Sequence, residues 1–205
     1  EMTPVPEDPY GVSKYAVELD LRAAHEMFGL NYVVFRPHNV YGENQNIGDK
    51  YRNVIGIFMN QIMQGKQLTI FGDGTQTRAF SYIDDVAIPI ARSVEISASY
   101  NQVFNIGADK PYTVNELAEV VCKEFGVAPE IKYLSARNEV LHAYSDHTRA
   151  QQVFGKSTGF DLTEGIARMA AWAKRVGARQ SQEFDNIEIT EKLPDGWGIV
   201  KLATV

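Results

Sequence analysis

The stretch Pro9-Tyr-Gly-Val-Ser-Lys-Tyr-Ala-Val-Glu18 decides the fold class, together with the stretch Asn31-Tyr-Val-Val-Phe35 that follows it. Asp8 is a favourable N-cap residue with a proline directly after it. Apolar residues then recur three or four positions apart as far as Gly29, so a helix is predicted. Residues 31–35 are mostly β-branched or aromatic and end shortly before Pro37, which predicts a short buried strand. A helix followed by a buried strand is typical of an α/β protein.

The same periodicities recur along the rest of the chain. Helices are predicted over 54–63, from Asp84 or Asp85 to about Glu95, over 114–125 after a capping box of Thr113 and Glu116, over 148–154 and over 162–176. Strands are predicted over 68–71, 78–82, 103–106 and 130–134. The turn Gly72-Asp73-Gly74 lies between the first two strands, where a tight reversal would join them as a hairpin. Pro89 is expected near the first turn of its helix.

The helix predicted over 10–28 carries two apolar stripes rather than one. The first consists of Val12, Ala16, Leu19, Ala23 and Met27, and the second of Val17, Leu21, Ala24 and Phe28. This apolar surface is wider than contact with a single sheet requires. We therefore expect helix 10–28 to pack on a partner, and a homodimer formed through it is the prediction.

Length and composition restrict the function classes. The 205 residues correspond to about 1.4 domains of ~150 residues, and 44% hydrophobic with 22% charged residues predicts a folded globular chain. The net charge of −6 leaves no general basic field for nucleic acid. The single cysteine, Cys122, cannot form an internal disulfide and is predicted to lie in a core. No apolar stretch approaches the ~20 residues of a membrane span, so a cytoplasmic protein is expected.

Tyr10 and Lys14 form the first pair with catalytic potential. Residues four apart share one face of a helix, so the phenol and the ammonium group lie within reach of one point. A nearby cation favours the phenolate, which can then act as a general base. A tyrosine and a lysine at this spacing also occur by chance at an exposed helix start, so the pair alone leaves both interpretations open.

Further motifs accompany this pair in a fixed order. They are Phe35-Arg-Pro-His-Asn-Val-Tyr-Gly42, Leu68-Thr-Ile-Phe-Gly72, Arg78-Ala-Phe-Ser-Tyr-Ile-Asp-Asp85, Phe104-Asn-Ile-Gly107, and Arg137-Asn-Glu139 running to Ala143-Tyr-Ser-Asp146. Together they resemble the extended short-chain dehydrogenase/reductase family, in its NAD-dependent nucleotide-sugar epimerase/dehydratase branch. The resemblance covers nearly the whole chain, out to about Trp172. It is closest to UDP-glucose 4-epimerase-like members, although a sugar-nucleotide 4,6-dehydratase remains the alternative within the family.

The resemblance implies an α/β fold with a partial Rossmann-like doubly wound sheet and a small α/β substrate-binding domain. Residues 1–42 and 76–107 would belong to the NAD-binding domain. Residues 43–75 and 108–178 would form the nucleotide-sugar domain, and 179–205 a C-terminal tail held at intervals by apolar side chains.

The resemblance also implies which residues would meet the cofactor, NAD. Tyr10 would be the catalytic base, and Lys14 would hold the nicotinamide ribose hydroxyls and favour the Tyr10 phenolate. The backbone around Pro37, His38 and Val40 would approach the nicotinamide.

The substrate, expected to be a UDP-hexose, would meet a second set of residues. Leu68 to Phe71 would lie against the nucleotide base, chiefly through backbone groups and the Phe71 ring. Arg78 and Arg137 would clamp the diphosphate, because guanidinium groups suit phosphate oxygens. Asn39 would meet the phosphates or the sugar, and Glu139 a ribose hydroxyl. Each of three residues also has an interpretation without a ligand. Arg78 would then be a surface strand residue, Arg137 a solvated charge in a loop, and Asn39 a turn residue.

One part of the family pattern has no counterpart in residues 1–205. The family's dinucleotide site is a strand, a G-x-x-G-x-x-G turn and a helix whose N-terminus receives the pyrophosphate, and this chain has no such segment. The chain therefore resembles a truncated form that contains only the C-terminal portion of a longer enzyme. We expect this chain to be inactive alone. The alternative is a non-catalytic domain that keeps a nucleotide-sugar pocket or only an assembly surface.

Three other residues are considered as metal ligands. His142, Asp146 and His147 lie close together in the sequence, but no further ligand accompanies them and the family uses none there. No metal site is expected. Tyr82 is expected to pack in the interior rather than contact substrate.

Overall fold

The structure, a computed structural model, describes residues 4–49, 52–137, 140–156 and 159–180. Its helices are α1 (Pro9–Phe28), α2 (Val54–Met63), α3 (Ile83–Ser93), α4 (Val114–Phe125), α5 (Thr148–Phe154) and α6 (Leu162–Val176). Its strands are β1 (Val33–Pro37), β2 (Val40–Tyr41), β3 (Leu68–Phe71), β4 (Thr77–Ala79), β5 (Ser81–Tyr82), β6 (Gln102–Ile106), β7 (Pro111–Thr113), β8 (Ile131–Leu134) and β9 (His142–Ala143). The predicted tail, 179–205, falls outside the described ranges after Gln180.

Most strand pairs are parallel and join segments that lie far apart in sequence. Strand β1 pairs with β6, from Val33 opposite Gln102 to Pro37 opposite Ile106. Strand β2 pairs with β5, and β3 pairs with β8, both in parallel. Strand β4 lies between antiparallel β7 and parallel β9. Parallel pairs alternating with helices confirm the predicted α/β class.

The predicted hairpin around Gly72 and Gly74 is wrong. Both glycines have positive φ, 75° and 78°, and the chain does turn there. Strand β3 nevertheless pairs with β8, and the segment predicted as one strand over 78–82 is two short strands in different sheets. The reason is burial, because the alternate residues Leu68 and Ile70 are both 1% exposed in the core beside β8. The two-glycine turn redirects the chain instead of pairing its neighbours.

Helix α3 begins earlier than its acidic residues suggested. It starts at Ile83, so Asp84 and Asp85 belong to its first turn and Pro89 to its second. Proline has no N–H to donate, so the helix loses the hydrogen bond that residue 89 would give to the carbonyl four residues earlier. The Asp85 carboxylate accepts two hydrogen bonds from the backbone N–H groups of Gly159 and Phe160, each 3.3 Å.

Two clusters of buried side chains hold the described segments together. The larger is built by α2, α4 and α6 over β3, and contains Cys122 and Tyr82, as predicted. The smaller packs α3 and α5 against β6 through Val86, Phe104, Ile106, Ala150 and Phe154. Helix α4 begins with the predicted capping box, in which Thr113 and Glu116 each accept a hydrogen bond from the other's backbone N–H. Burial raises the pKa of the Cys122 thiol, which suits a packing role.

Helix α1 lies on the surface, and none of its residues is buried. Its exposed apolar side chains include Val12, Val17, Leu19, Met27 and Phe28, with exposures from 44% to 78%. The wide apolar surface that the sequence predicts for α1 is therefore exposed to solvent in this structure. Among the described segments, no helix is both long enough and apolar enough to cross a membrane.

Candidate functional site

A cavity of about 290 Å³ lies where β3, α2 and the loop after β1 meet. Four of the residues predicted to contact substrate line it: Asn39, Phe71, Arg78 and Arg137. They come from four separate places in the sequence, which the fold brings to one point. The remaining lining residues in the described chain are Asn53, Val54, Ile57, Thr69, Ile70, Gln76 and Val114.

The charge of this cavity is positive. Arg78 and Arg137 line it, and no acidic residue accompanies them among the described lining residues. The Arg137 guanidinium carbon lies 3.4 Å from the centre of the Phe71 ring, stacked on its face. Arg78 Nη1 donates to the carbonyls of Thr77 and Leu141, at 2.9 and 3.1 Å. Two guanidinium groups that line one cavity suit an anion such as a diphosphate.

One edge of β3 borders the cavity and presents backbone groups to it. The N–H groups of Leu68 and Gly72 point the other way, to β8, so those of residues 69 and 71 point toward the free edge. The Gln61 side chain binds the Thr69 N–H and hydroxyl, and Gln76 Nε2 donates to the Phe71 carbonyl at 2.9 Å. The other two groups on that edge are the Thr69 C=O and the Phe71 N–H.

Gln61 and Gln76 shape this edge and were not among the predicted site residues, whereas Thr69 lies within the predicted range 68–71. Nothing in the spacing of the two glutamines distinguishes them from other polar residues, because their role depends on which edge of β3 faces the cavity. Leu68, which was predicted, is not brought to the cavity. Its side chain lies in the core and its N–H donates to Glu130 O at 2.8 Å. The prediction for Glu139 lies outside the described residues.

Tyr10 and Lys14 lie in the first turns of α1. Asp8 caps this helix by accepting a hydrogen bond from the Gly11 N–H at 2.7 Å. Tyr10 is 64% exposed, and the Lys14 ammonium nitrogen lies 5.3 Å from the centre of its ring. The structure thus keeps the predicted pair together on one accessible helix face.

A bidentate ion pair attaches α1 to β1. Arg36 donates from Nε and Nη2 to the two Glu18 carboxylate oxygens, at 2.7 and 2.5 Å. A second cavity, of about 360 Å³, lies at this junction and is lined by Lys14, Tyr15, Glu18 and Arg36 together with the segment 4–6 and Gly11. This contact holds the helix that carries Tyr10 at a set position along β1.

The end of β1 contributes to both cavities. Arg36 lines the one beside α1, and Asn39, three residues later, lines the one beside β3. Pro37 ends β1, and Val40 begins β2. Asn39 adopts a positive φ of 44° and donates from Nδ2 to the Ala79 carbonyl at 3.1 Å. The predicted residues 37–40 therefore form the chain segment that links the two cavities.

The three residues considered as metal ligands have other partners. His142 Nδ1 and Thr77 Oγ1 lie 2.8 Å apart across β9 and β4, and Asp146 accepts from the Thr148 N–H at 2.7 Å. His147 Nδ1 lies 2.6 Å from Asp109 Oδ1.

Comparison with known proteins identifies the family. Residues 1–107 match the model of the NAD dependent epimerase/dehydratase family, which is more than half of the chain. The chain belongs to that family. The resemblance read from the motifs is thereby confirmed.

Relatives of the family show how much of the fold this chain contains. A putative UDP-glucose 4-epimerase of Methanocaldococcus jannaschii is 36% identical over 170 residues, which are 82% of this chain and 54% of the relative. The structure of UDP-glucose 4-epimerase from Thermotoga maritima with UDP-glucose superposes with a TM-score of 0.78 at 32% identity, covering 84% of this chain and 55% of that one. The chain spans about half the length of the relatives that it matches.

A second structure extends the comparison to the cofactor. UDP-glucuronic acid 4-epimerase from Bacillus cereus, in complex with UDP-glucuronic acid and NAD, superposes with a TM-score of 0.78 at 28% identity over 85% of this chain and 55% of that one. These matches confirm a partial Rossmann-like α/β fold.

The residues predicted to meet NAD are only partly brought together: Lys14 lines the cavity beside α1, whereas Tyr10, Pro37, His38 and Val40 are not among its described lining residues. The cavity beside α1 has a volume within the ~300–1,000 Å³ of small-molecule sites, and it presents the Lys14 ammonium as a donor for hydroxyl groups. The pyrophosphate and adenosine would need the G-x-x-G-x-x-G turn, which is not in residues 1–205. Residues 1–205 thus contain a donor suited to ribose hydroxyls, Lys14, but not the turn that the pyrophosphate needs.

Proposed function

We propose that this chain supplies the nucleotide-sugar pocket and the tyrosine–lysine pair of an NAD-dependent UDP-hexose 4-epimerase. The observation that carries the proposal is the cavity beside β3. It joins two arginines, an exposed strand edge and Asn39, with no acidic residue among its described lining residues. A nucleoside diphosphate needs cations for its phosphates and a hydrogen-bonding edge for its base, and this cavity offers both.

The free edge of β3 supports uracil as the base. The Thr69 C=O can accept a hydrogen bond from the uracil N3–H, and the Phe71 N–H can donate one to the adjacent uracil carbonyl. Gln61 and Gln76 already occupy the outer groups on that edge. Cytosine carries the matching donor on N4 instead of N3, so it would pair there only if the ring moved relative to its ribose. We therefore propose UDP rather than CDP.

The phosphates would lie against the two arginines. Arg137 is held flat on the Phe71 ring, which leaves its N–H groups directed outward in a plane. Arg78 lines the same cavity, with its side chain oriented by the backbone carbonyls of Thr77 and Leu141. Asn39 would meet the phosphates or the sugar at the side nearer to β1.

The chemistry proposed for α1 follows from the positions of Tyr10 and Lys14. Tyr10 would remove the proton of the sugar 4-hydroxyl, and Lys14 would favour the phenolate and bind ribose hydroxyls. Residues 37–40 would face the nicotinamide. NAD, when bound, supplies reversible acceptance of the hydride from C4. The Glu18–Arg36 pair would keep Tyr10 at a set distance from the sugar that Asn39 contacts.

The proposed assignment of residue ranges to two domains can be compared with the two clusters of buried side chains. Residues 43–75 and 108–178 would form the nucleotide-sugar domain, and 1–42 with 76–107 would form part of the NAD-binding domain. The larger cluster includes Leu117 and Ile166, which supports the first assignment, but it also includes Tyr41, Phe80 and Tyr82 from the NAD-binding ranges, so the two proposed domains share this core. Helix α5 packs on β6 in the smaller cluster, so it supports the NAD-binding side physically although it follows residue 108.

A ligand titration tests this function directly. Thermal melting of the 205-residue chain is measured with UDP, UDP-glucose, CDP, inorganic pyrophosphate and NAD at equal concentrations. A ligand at 100 times its Kd adds about 2.7 kcal/mol to the free energy of unfolding. We expect UDP and UDP-glucose to raise the melting temperature, CDP and pyrophosphate to raise it less, and NAD to leave it unchanged. A pyrophosphate shift as large as that of UDP would mean that the base is not recognised.

We also propose that these 205 residues do not turn over substrate by themselves. The argument is that residues 1–205 contain no phosphate-binding turn for the cofactor. The assay is conversion of UDP-glucose to UDP-galactose with added NAD. Turnover by the purified chain would refute this part of the proposal while leaving the nucleotide pocket intact.

A homodimer formed through α1 is proposed on the exposure of its apolar side chains. Leu19 is 44% exposed and Val17 56%, in the middle of a helix that has no buried residue. Leaving such a surface in water is unfavourable by roughly 25 cal/mol per Å². Light scattering should give twice the mass of one chain, and Val17→Asp should return the mass of one chain. A monomeric wild-type particle would refute the dimer.

A further inference from the structure

A network of side chains around one buried histidine lies at the carboxyl ends of β1 and β6, outside the two cavities proposed for substrate and nicotinamide. At its centre is His147, which is 4% exposed. Its Nδ1 lies 2.6 Å from Asp109 Oδ1, and its Nε2 lies 3.0 Å from Ser145 Oγ. Asp109 follows the end of β6 and also accepts a hydrogen bond from Gln151 of α5 at 3.3 Å. Both nitrogens of the buried imidazole are therefore occupied, which fixes its position and orientation.

The His147 ring stacks on the ring of His38. The two ring centres are 5.2 Å apart and the planes differ by only 12°. Ser145 Oγ lies 3.4 Å from His38 Nδ1, on the same side as His147. A side chain at Gly107 would lie 2.9 Å from His38 Cε1, so glycine is required there for the His38 ring to take this place.

The backbone of His38 is held as firmly as its ring. The His38 carbonyl accepts a hydrogen bond from the Ser81 hydroxyl at 3.0 Å, and Ser81 Oγ in turn accepts one from the Ala108 N–H at 2.9 Å. His38 is followed by Asn39, whose positive φ turns the chain into β2. A change in the position of His38 is thus passed directly to Asn39 and Val40.

We infer that His147, held by Asp109, is a positioning residue that fixes the His38 ring and thereby the course of residues 37–40. Only the expected effect on ligand binding rests on the proposed function, in which Asn39 contacts the substrate and residues 37–40 face the nicotinamide. The geometric part stands on the stack and the hydrogen bonds alone.

The electrostatics of the pair favour a neutral His38. Burial and the neighbouring His147 lower the pKa of His38 below its ordinary value, while Ala108 and Asp109 raise it to a smaller extent. Two stacked imidazoles at this distance cannot both carry a proton without repulsion. Asp109 lies against His147 rather than His38, so the pair has a defined order: His147 faces the carboxylate and His38 faces the end of β1.

The test follows the histidine rings by NMR in the 205-residue chain. The chain has four histidines, so the ring signals can be assigned by single substitutions. Wild type is compared with Asp109→Ala and His147→Ala. We expect both variants to shift the His38 ring signals and the Asn39 and Val40 amide signals. His147→Ala should raise the His38 pKa, because His147 lowers it, whereas Asp109→Ala should lower the His38 pKa further, because Asp109 raises it. The Asp109 side chain is 70% exposed, so its removal tests the network even if His147→Ala fails to fold.

A second pair of variants separates the ring from its hydrogen bond. His147→Gln keeps an amide that can bind Asp109 but loses the stack, and we expect it to resemble His147→Ala. Gln151→Ala, the matched control, removes another partner of Asp109 without touching the stack and should leave His38 unchanged. Unchanged His38 and Asn39 signals in both His147 variants would overturn the inference.

Measurement of UDP-glucose binding tests whether the position of residues 37–40 affects ligand affinity. If residues 37–40 position Asn39, then Kd for UDP-glucose should rise by about threefold or more in His147→Ala, in keeping with coupling between residues of one network. Failure of wild type to bind UDP-glucose would refute the proposed function, while the NMR comparison would still decide the positioning role. Normal binding by a His147→Ala chain whose Asn39 signals have moved would overturn the link to the ligand.

Discussion

Replacement of Arg137 is the sharpest test of the nucleotide pocket. Its guanidinium lies 3.4 Å above the Phe71 ring in a cavity with Arg78, yet the residue itself is exposed. Because an exposed side chain contributes little to folding, Arg137→Ala should change the free energy of unfolding by less than about 0.5 kcal/mol. A charged hydrogen bond to a phosphate contributes about 1.5–3 kcal/mol. The expected increase in Kd for UDP is therefore about 10- to 150-fold.

The assay is isothermal titration calorimetry with UDP, accompanied by urea denaturation of each variant. Arg137→Lys should lie between wild type and alanine, because lysine keeps the charge but loses the planar stack on Phe71 and the two-pronged contact. Arg175→Ala, in the last turn of α6, removes an equal charge away from the cavity and should bind UDP like wild type. If Arg137→Ala binds UDP within a factor of two of wild type, the phosphate assignment is wrong.

Three further predictions concern the scaffold. Gly165→Ala should lower the free energy of unfolding by about 1–3 kcal/mol, because its Cβ would lie 2.1 Å from the buried Tyr41 hydroxyl. Tyr41→Phe should restore part of that loss in urea denaturation, and an unchanged midpoint for Gly165→Ala would contradict the packing. The pKa of His38 is lowered in the fold, so the unfolded chain takes up the proton first as the pH falls through 6.5. Wild type should therefore lose stability as the pH falls through 6.5, and His38→Phe should lose less; equal losses would refute a neutral His38 ring in the fold. Glu18→Gln should loosen α1 from Arg36, with faster amide hydrogen exchange along α1 but not along α4.

Helices and their ends could be predicted because local chemistry determines them. Asp8 and Thr113 cap α1 and α4 as their sequence context indicates. Four predicted substrate residues meet at one cavity, since the motifs that carry them belong to a shared family pattern. Local patterns thus give the helices and, through the resemblance, four of the residues that line the cavity.

Strand pairing could not be predicted in the same way. The partner of β3 is β8, about sixty residues later, and no turn motif between them indicates this pairing. The short strands β2, β7 and β9 have two or three residues each and were not predicted, because so few residues show no periodicity. Gln61 and Gln76 matter only once the free edge of β3 is known. These features depend on contacts between distant segments, which a local pattern does not encode.

The two halves of the proposed site differ in what supports them. The nucleotide cavity is lined by residues of β3 and α4 that belong to the larger core, such as Ile70 and Val114, so the same packing that folds the chain also shapes the cavity. Tyr10 stands on a helix with no buried residue, attached to β1 by the Glu18–Arg36 pair. A surface helix held by so few contacts opens and shifts at a low free-energy cost. The proposed nucleotide binding therefore depends on this chain's own core, whereas accurate placement of Tyr10 in its proposed role depends on whatever covers the apolar face of α1.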